Sequence, residues 1–234
     1  MSRARPVVAI DGPAGAGKST VSRRVAQLLH YTLLDTGALY RCVALRASRE
    51  GASEDAAIGS VAARLAADDA IQFRSASQGP QAVLMSGEDV TQAIRTPEMS
   101  QGASKVSAIP SVRAALLDMQ RAVGRNGGVV VEGRDIGSVV FPDAEAKFFL
   151  TASVEARAKR RHLELQQREG APSLESVMQE VEERDRRDSN RPVAPLIQAA
   201  DAVLVDSTGL SIDQVVDSIV ERVRRVEQQL AASQ

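Results

Sequence analysis

The stretch Pro6–Thr20, PVVAIDGPAGAGKST, decides the fold. Its first five residues, PVVAI (6–10), are uncharged and rich in β-branched side chains, the texture of a strand buried on both faces. Gly12-x-x-x-x-Gly17-Lys18-Ser19 follows at once. Val21, Val25, Leu28 and Leu29 then recur at helical spacing and predict a helix over about 18–30. Strand, glycine-rich turn and helix, in that order, is the context in which this motif cradles phosphate. Glycines let successive N–H groups turn inward and let the backbone approach phosphate oxygens. The helix N-terminus adds partial positive charge, Lys18 adds a full one, and Ser19 offers an oxygen to magnesium. Pro13 stiffens the loop where no N–H is needed. Gly12, Pro13, Ala14, Gly15, Ala16, Gly17, Lys18, Ser19 and Thr20 are therefore the candidate triphosphate site, with Ser19 as metal ligand.

Working outward, Tyr31 to Leu34 reads as a short strand ending at Asp35-Thr36-Gly37, followed by an Ala- and Arg-rich helix over about 38–50. Between about 68 and 92 the texture changes: Ile71–Arg74 alternates, Ser75–Gln81 is turn-rich, and Val83-Leu84-Met85 follows. That pattern predicts an antiparallel hairpin at the heart of an inserted lobe. A helix carrying Val112, Leu116 and Met119 precedes Gly127-Gly128. GVVVE (128–132) is a buried strand that runs into Gly133-Arg134-Asp135, and AKFFL (146–150) is another. Helices over about 153–168 and 173–188 flank Gly170-Ala171-Pro172, DAVLV (201–205) is the last strand, and 211–230 the last helix. Strands alternating with helices imply an α/β chain with a parallel sheet covered on both faces.

Composition narrows the function. The 234 residues suit one compact domain, or a core with a lobe inserted. A formal net charge of -1 argues against coating a nucleic-acid polymer, so any anion site is local. One cysteine, Cys42, excludes an intramolecular disulfide framework and fits a reducing compartment; with 2 histidines it also excludes a zinc site of the usual Cys/His type. The apolar run at 7–10 stops at Asp11, short of the ~20 residues a spanning helix needs. No secretory signal is visible, and the expected location is cytoplasmic.

The phosphate loop implies nucleotide triphosphate binding and leaves the reaction open: phosphoryl transfer to a small acceptor, or a GTPase-type switch. A switch reads its base with Asn-Lys-x-Asp, which does not occur here. Asp206-Ser207-Thr208-Gly209 mimics one switch element but lies near the C-terminus and reads as a loop after the last strand. The cations favour transfer. The chain has 4 lysines and 25 arginines. Arg134 sits just beyond a buried strand, where α/β sheets place ligands. Arg157, Arg160 and Arg161 share one turn of helix, and Arg184, Arg187 and Arg191 lie just before Pro192. Arg222, Arg224 and Arg225 read as a solvated helix face. Moving a phosphoryl group between two anions requires several cations, and the arginine fork grips two phosphate oxygens at once.

IDGPAGAGKST (10–20), LLDTGALYR (33–41), GEDVTQAIR (87–95), ASKV (103–106), EGRDIGSVVFPD (132–143), ERDRRDSNRPVAP (183–195) and AADAVLVD (200–206) together resemble the bacterial cytidylate kinases, a branch of the nucleoside monophosphate kinase family. The resemblance implies a P-loop core, an acceptor lobe with a small antiparallel sheet, and a mobile helical lid that closes to exclude water. Mapped here, the core is about 1–38, 100–152 and 195–234, the acceptor insert about 39–99, and the lid about 153–194. It implies ATP with Mg2+ as donor and CMP or dCMP as acceptor. A monomer is the default expectation, and charge and hydropathy predict neither a nucleic-acid nor a membrane partner. Lys18, Arg134, Arg184 and Arg191 are the implied catalytic residues, and Arg157 and Arg161 the implied lid contacts to ATP. Arg41, Arg134 and Arg191 face the acceptor phosphate; Ser104, Arg113 and Asp135 read the cytosine; Arg184 and Asp188 lie at the ribose, with Thr36 nearby. The chain departs from some relatives with Glu132 for Asp, Thr36 for Ser and Ser19 for Gly. Another small-acceptor P-loop kinase, of the UMP or shikimate type, is the alternative; shikimate kinases are usually shorter and lack the hairpin.

Overall fold

The computed structural model describes residues 3–74, 81–166 and 172–233. β1 (Val7–Asp11) is buried at all five positions, as its unbroken apolar run requires, and passes through the glycine loop into α1 (Lys18–Leu29). β2 (Thr32–Asp35) leads into α2 (Thr36–Glu50). α2 starts at Thr36 rather than at 38 because the Asp35 carboxylate caps it, accepting the Ala38 N–H. α3 (Asp55–Ala67) precedes β3 (Ile71–Arg74), β4 (Ala82–Met85) and β5 (Glu88–Asp89). α4 (Pro97–Val106) and α5 (Pro110–Gly124) follow, each with proline in its first turn. β6 (Val129–Gly133) ends in a single π-helical turn, Ile136–Val140. β7 (Ala146–Thr151), α6 (Val154–Leu165), α7 (Leu174–Ser189), β8 (Val203–Asp206) and α8 (Ile212–Ala232) complete the chain.

The five-stranded sheet has the order β2-β6-β1-β7-β8, and β1 pairs in parallel with both β6 and β7. Strands alternating with helices along the chain produce this parallel α/β arrangement. The hairpin is present as β3 against β4, with β5 added to make a three-stranded antiparallel sheet. Of the turn predicted over Ser75–Gln81, residues 75–80 lie outside the described residues, as do Gly170 and Ala171 of the Gly170-Ala171-Pro172 break. α3 and α4 have no counterpart in the sequence reading. No helix among the described residues is long and apolar enough to cross a membrane.

The chain forms two compact units: Met1–Leu33 with Asn126–Gln234, and Leu34–Arg125. The first buries Val8, Ile10, Val130, Phe148 and Leu150 from the strands against Val21 and Val25 of α1 and Ile219 and Val223 of α8. Within the same unit α6 and α7 close on their own small core of Ala158, Leu165, Val177 and Val181. The second buries Leu39 and Val43 of α2 against Val61, Leu65, Val83, Met85 and Leu116. Each such buried aliphatic side chain contributes about 1.5–3 kcal/mol. Gly12 shows how tightly the phosphate loop is set on the first unit. A Cβ there would stand 1.9 Å from the Leu150 carbonyl oxygen of β7, and φ is +147°. Gly12→Ala therefore has to move strand backbone. We expect a loss of about 1–3 kcal/mol, seen as a fall of several degrees in Tm by calorimetry.

Candidate functional site

In the first unit Lys18 folds back over its own loop, with Nζ donating to the carbonyls of Gly12 (2.8 Å) and Pro13 (2.7 Å). Burial pushes the ammonium well below its ordinary value, Arg134 and Arg184 push the same way, and Glu132 and Asp11 oppose them. An arriving anion relieves that stress, since it replaces two dipoles with a full opposite charge. Beside it, Ser19 Oγ donates to Glu132 Oε2 (3.1 Å), and Glu132 is buried at the end of β6. A hydroxyl and a carboxylate are hard oxygen donors, the kind magnesium takes. No group of three or more His, Cys, Asp or Glu suited to a metal occurs among the described residues, so a magnesium ion here would depend on phosphate and water for its other ligands.

Asp11 ends β1 level with Gly133 of β6. It accepts the N–H groups of Ile136 (2.8 Å) and Gly137 (2.7 Å), and so fixes the turn that follows Arg134 and Asp135. Burial raises its carboxyl to about 6 against those two hydrogen bonds. Arg134 Nε donates to Asp188 Oδ2 (3.0 Å), and Arg184 Nε lies 3.9 Å from the same oxygen. Arg191 Nη2 stands 4.0 Å from Asp135 Oδ1. Lys18, Arg134, Arg184 and Arg191 are thus gathered in this unit with Asp135 and Asp188, both acidic residues of the resemblance. Burial pushes the Asp188 carboxyl up, but Arg134, Arg184 and Arg191 outweigh it and hold the group below the usual carboxylate range.

The second unit carries two smaller groups. Thr36 is buried at the start of α2, and one turn on Arg41 Nη2 donates to Asp35 Oδ2 (2.6 Å). Arg113 of α5 donates to the Ser107 carbonyl (3.3 Å), and the Ser107 hydroxyl donates to the Ser104 carbonyl (3.0 Å). The Arg113 guanidinium stands 5.7 Å from the centre of the Tyr40 ring, within cation–π range.

Residues 8–225 match the family model described as cytidylate kinase. The chain belongs to the cytidylate kinase family. It is 52% identical to the cytidylate kinase of Syntrophotalea carbinolica over 95% of its own length and 93% of the relative's. It is 50% identical to that of a Marinomonas species, covering 92% and 93% of the two chains. A bifunctional pantoate ligase/cytidylate kinase of a Synechococcus species matches at 51%, with this chain spanning 42% of it.

Within this family member the three arginines of α6 have separate partners. Arg157, only 4% exposed, donates to the carbonyls of Ala152 (2.9 Å) and Ala14 (3.1 Å) and pairs with Asp185 of α7 (2.6 Å). Arg160 grips Ser207 through its hydroxyl (3.1 Å) and carbonyl (2.6 Å). Arg161 pairs with Glu164 at the surface (3.3 Å). Asp11, Asp35, Tyr40, Glu132 and Asp185 also belong to these groups, and sequence reasoning assigned none of them. Glu132 and Asp11 carried a usable signal, a carboxylate closing a fully apolar strand.

The sign of the Asp188 effect is testable. A carboxyl whose folded value is lowered stabilises the protein above the unfolded value of 3.8 and loses that contribution as pH falls through its folded value. Asp188→Asn should unfold more easily at pH 7 and 25 °C in urea. The gap from the parent chain should narrow below pH 3.8.

Proposed function

We propose that this family member transfers the γ-phosphoryl group of ATP in line to the phosphate of CMP or dCMP, yielding ADP with CDP or dCDP, in pyrimidine nucleotide metabolism. The observation that carries the reading is the gathering of Lys18, Arg134, Arg184 and Arg191 around buried carboxylates beside the phosphate loop, in a chain of this family. An acceptor phosphate oxygen is anionic at neutral pH, so no protein nucleophile is required. It bonds to the γ-phosphorus as the bond to the β-bridging oxygen breaks, and ADP leaves. The protein's work is positioning and offsetting negative charge.

Residues 12–20 hold the triphosphate, and Lys18 exchanges its two loop carbonyls for phosphate oxygens. Ser19, with Glu132 behind it, would hold magnesium, which would supply further charge neutralisation. Arg157 and Arg161 act on the donor side, Arg157 through its hold on Ala14. Arg41, Arg134 and Arg191 take the acceptor phosphate; Arg184, Asp188 and Thr36 take the ribose. Cytosine offers an amine donor beside an acceptor ring nitrogen, and uracil the reverse. Asp135 accepts from the amine, and Arg113 and Ser104 complete the base reading. We assign 39–99 to acceptor binding and 153–194 to a lid, and take the enzyme to be a cytoplasmic monomer.

A coupled assay across CMP, dCMP, UMP, AMP, GMP and shikimate tests the assignment; preference for UMP or shikimate overturns it. Lys18→Ala should lose about 100-fold or more in kcat while staying folded, because a contact to a charged group contributes roughly 1.5–3 kcal/mol before transition-state gains. Near-normal kcat in the folded variant would remove Lys18 from the mechanism. CMP should exceed UMP by roughly 100-fold in kcat/KM, the scale of two mispaired polar contacts. Asp135→Asn should narrow that ratio. An unchanged ratio with lower activity on both would make Asp135 a holder of Arg191 alone.

A further inference from the structure

We propose that Asp35 is a positioning residue for the acceptor phosphate, holding the Arg41 guanidinium by Nη2 so that its remaining donors are presented to the ligand. The proposal rests on the reading of Arg41 as a ligand of the CMP phosphate. Asp35 uses both oxygens. Oδ1 accepts the Ala38 N–H (3.1 Å) and caps α2; Oδ2 accepts Arg41 Nη2 (2.6 Å). Burial pushes the carboxyl up, but Arg41, and Arg95 more weakly, outweigh it and keep it ionised. The fork keeps a donor beyond that bond: Arg41 Nε, beside Nη2 on the same edge of the guanidinium, is buried and meets no acceptor among the described residues. A buried charged donor left in that state is costly unless something else fills it, and a phosphate oxygen is the partner a guanidinium edge fits.

Gly37 supports the same assignment independently. A Cβ on it would lie 3.0 Å from Asp35 Oδ1 and 3.1 Å from Arg41 Nη1. The carboxylate and the guanidinium therefore meet directly over the bare Cα of Gly37, inside the first turn of α2. Asp35-Thr36-Gly37-x-x-x-Arg41 is a spacing in which a helix cap and an anion-binding arginine are clamped together. Holding the fork in advance removes the ordering cost that a loose arginine bears when phosphate arrives.

Asp35→Asn, Gly37→Ala, Arg41→Ala and the Asp35→Asn/Arg41→Ala double variant separate the possibilities. The amide keeps the cap but presents no second acceptor to Arg41. Gly37→Ala keeps every charge and suits a helix better, so a merely structural role predicts unchanged or improved function. The measurements are Kd for CMP by titration calorimetry, KM for ATP, kcat and Tm, all on the full chain. We expect Kd for CMP to rise about tenfold in Asp35→Asn and severalfold in Gly37→Ala, with KM for ATP within about twofold. We expect the Asp35→Asn effect to vanish when Arg41 is already alanine. Additive effects in the double variant, or a lower Tm with unchanged Kd for CMP, would reduce Asp35 to a helix cap and overturn the proposal. If Arg41→Ala itself leaves Kd for CMP unchanged, the assignment of Arg41 to the acceptor phosphate falls, and the proposal with it.

Discussion

A site for two polyanions has to keep cations partly out of water before either anion arrives. That cost is several kcal/mol for each buried ion, while a pair at 4 Å in protein surroundings returns about 4 kcal/mol at an effective dielectric of 20. Arrangements survive only where nearly every cation has a partner. Arg134 and Arg184 share Asp188, Arg157 has Asp185 and two carbonyls, and Arg191 faces Asp135. Lys18 is placed differently, against two carbonyl dipoles. Its contact with the protein is the weaker kind, so an anion gains more by displacing it. The arginines are thus neutralised by carboxylates, and Lys18 rests on carbonyl dipoles.

The sheet determines which groups can take part. β6, β1, β7 and β8 run side by side, and the end of each delivers one element. β1 delivers Asp11 and the phosphate loop, and β6 delivers Glu132 to Asp135. Ala152, just after β7, accepts from Arg157, and Ser207, just after β8, accepts from Arg160. The register Asp11↔Gly133 places a carboxylate of the donor strand next to the turn that carries Arg134 and Asp135. Its two hydrogen bonds to Ile136 and Gly137 tie those residues to the strand from which the phosphate loop begins. Ligand binding at the carboxyl ends of parallel strands is general for such sheets. The particular contribution here is the buried acid that joins two neighbouring ends.

Much of this was open to reading. PVVAI followed by the glycine loop, and GVVVE followed by Gly-Arg-Asp, are strands whose texture and punctuation left few alternatives. The pairings were harder, because they are set by tertiary register rather than by spacing. Nothing near Ser19 in sequence points to Glu132, which is over a hundred residues away. The run Glu183–Arg191 looks like a solvated face when read residue by residue. Its helical period tells more: Val181, Arg184, Asp185 and Asp188 fall on one side, and Val181 and Asp188 are buried. α3 and α4 escaped notice for a simpler reason. α3 is dominated by small residues whose apolar period is shallow, and α4 is announced mainly by Thr96-Pro97, a cap and a first-turn proline.

The division of labour between arginine and lysine follows from their shapes. A guanidinium has edges that can serve two partners at once, so it can stay bound to a carboxylate while it binds phosphate. Arg134 bonds Asp188 through Nε and the Gly133 carbonyl through Nη1, a geometry that a single ammonium could not reproduce. An ammonium has one nitrogen and a flexible stem, so its contacts are exchanged rather than shared. Lys18 is of this kind, its one nitrogen donating to the carbonyls of Gly12 and Pro13. Lys147, tied to Asp201 and the Pro142 carbonyl, has a fixed role in the same sheet. Arg134 and Arg157 are thus held against carboxylates by more than one contact each, while Lys18 is held by two loop carbonyls.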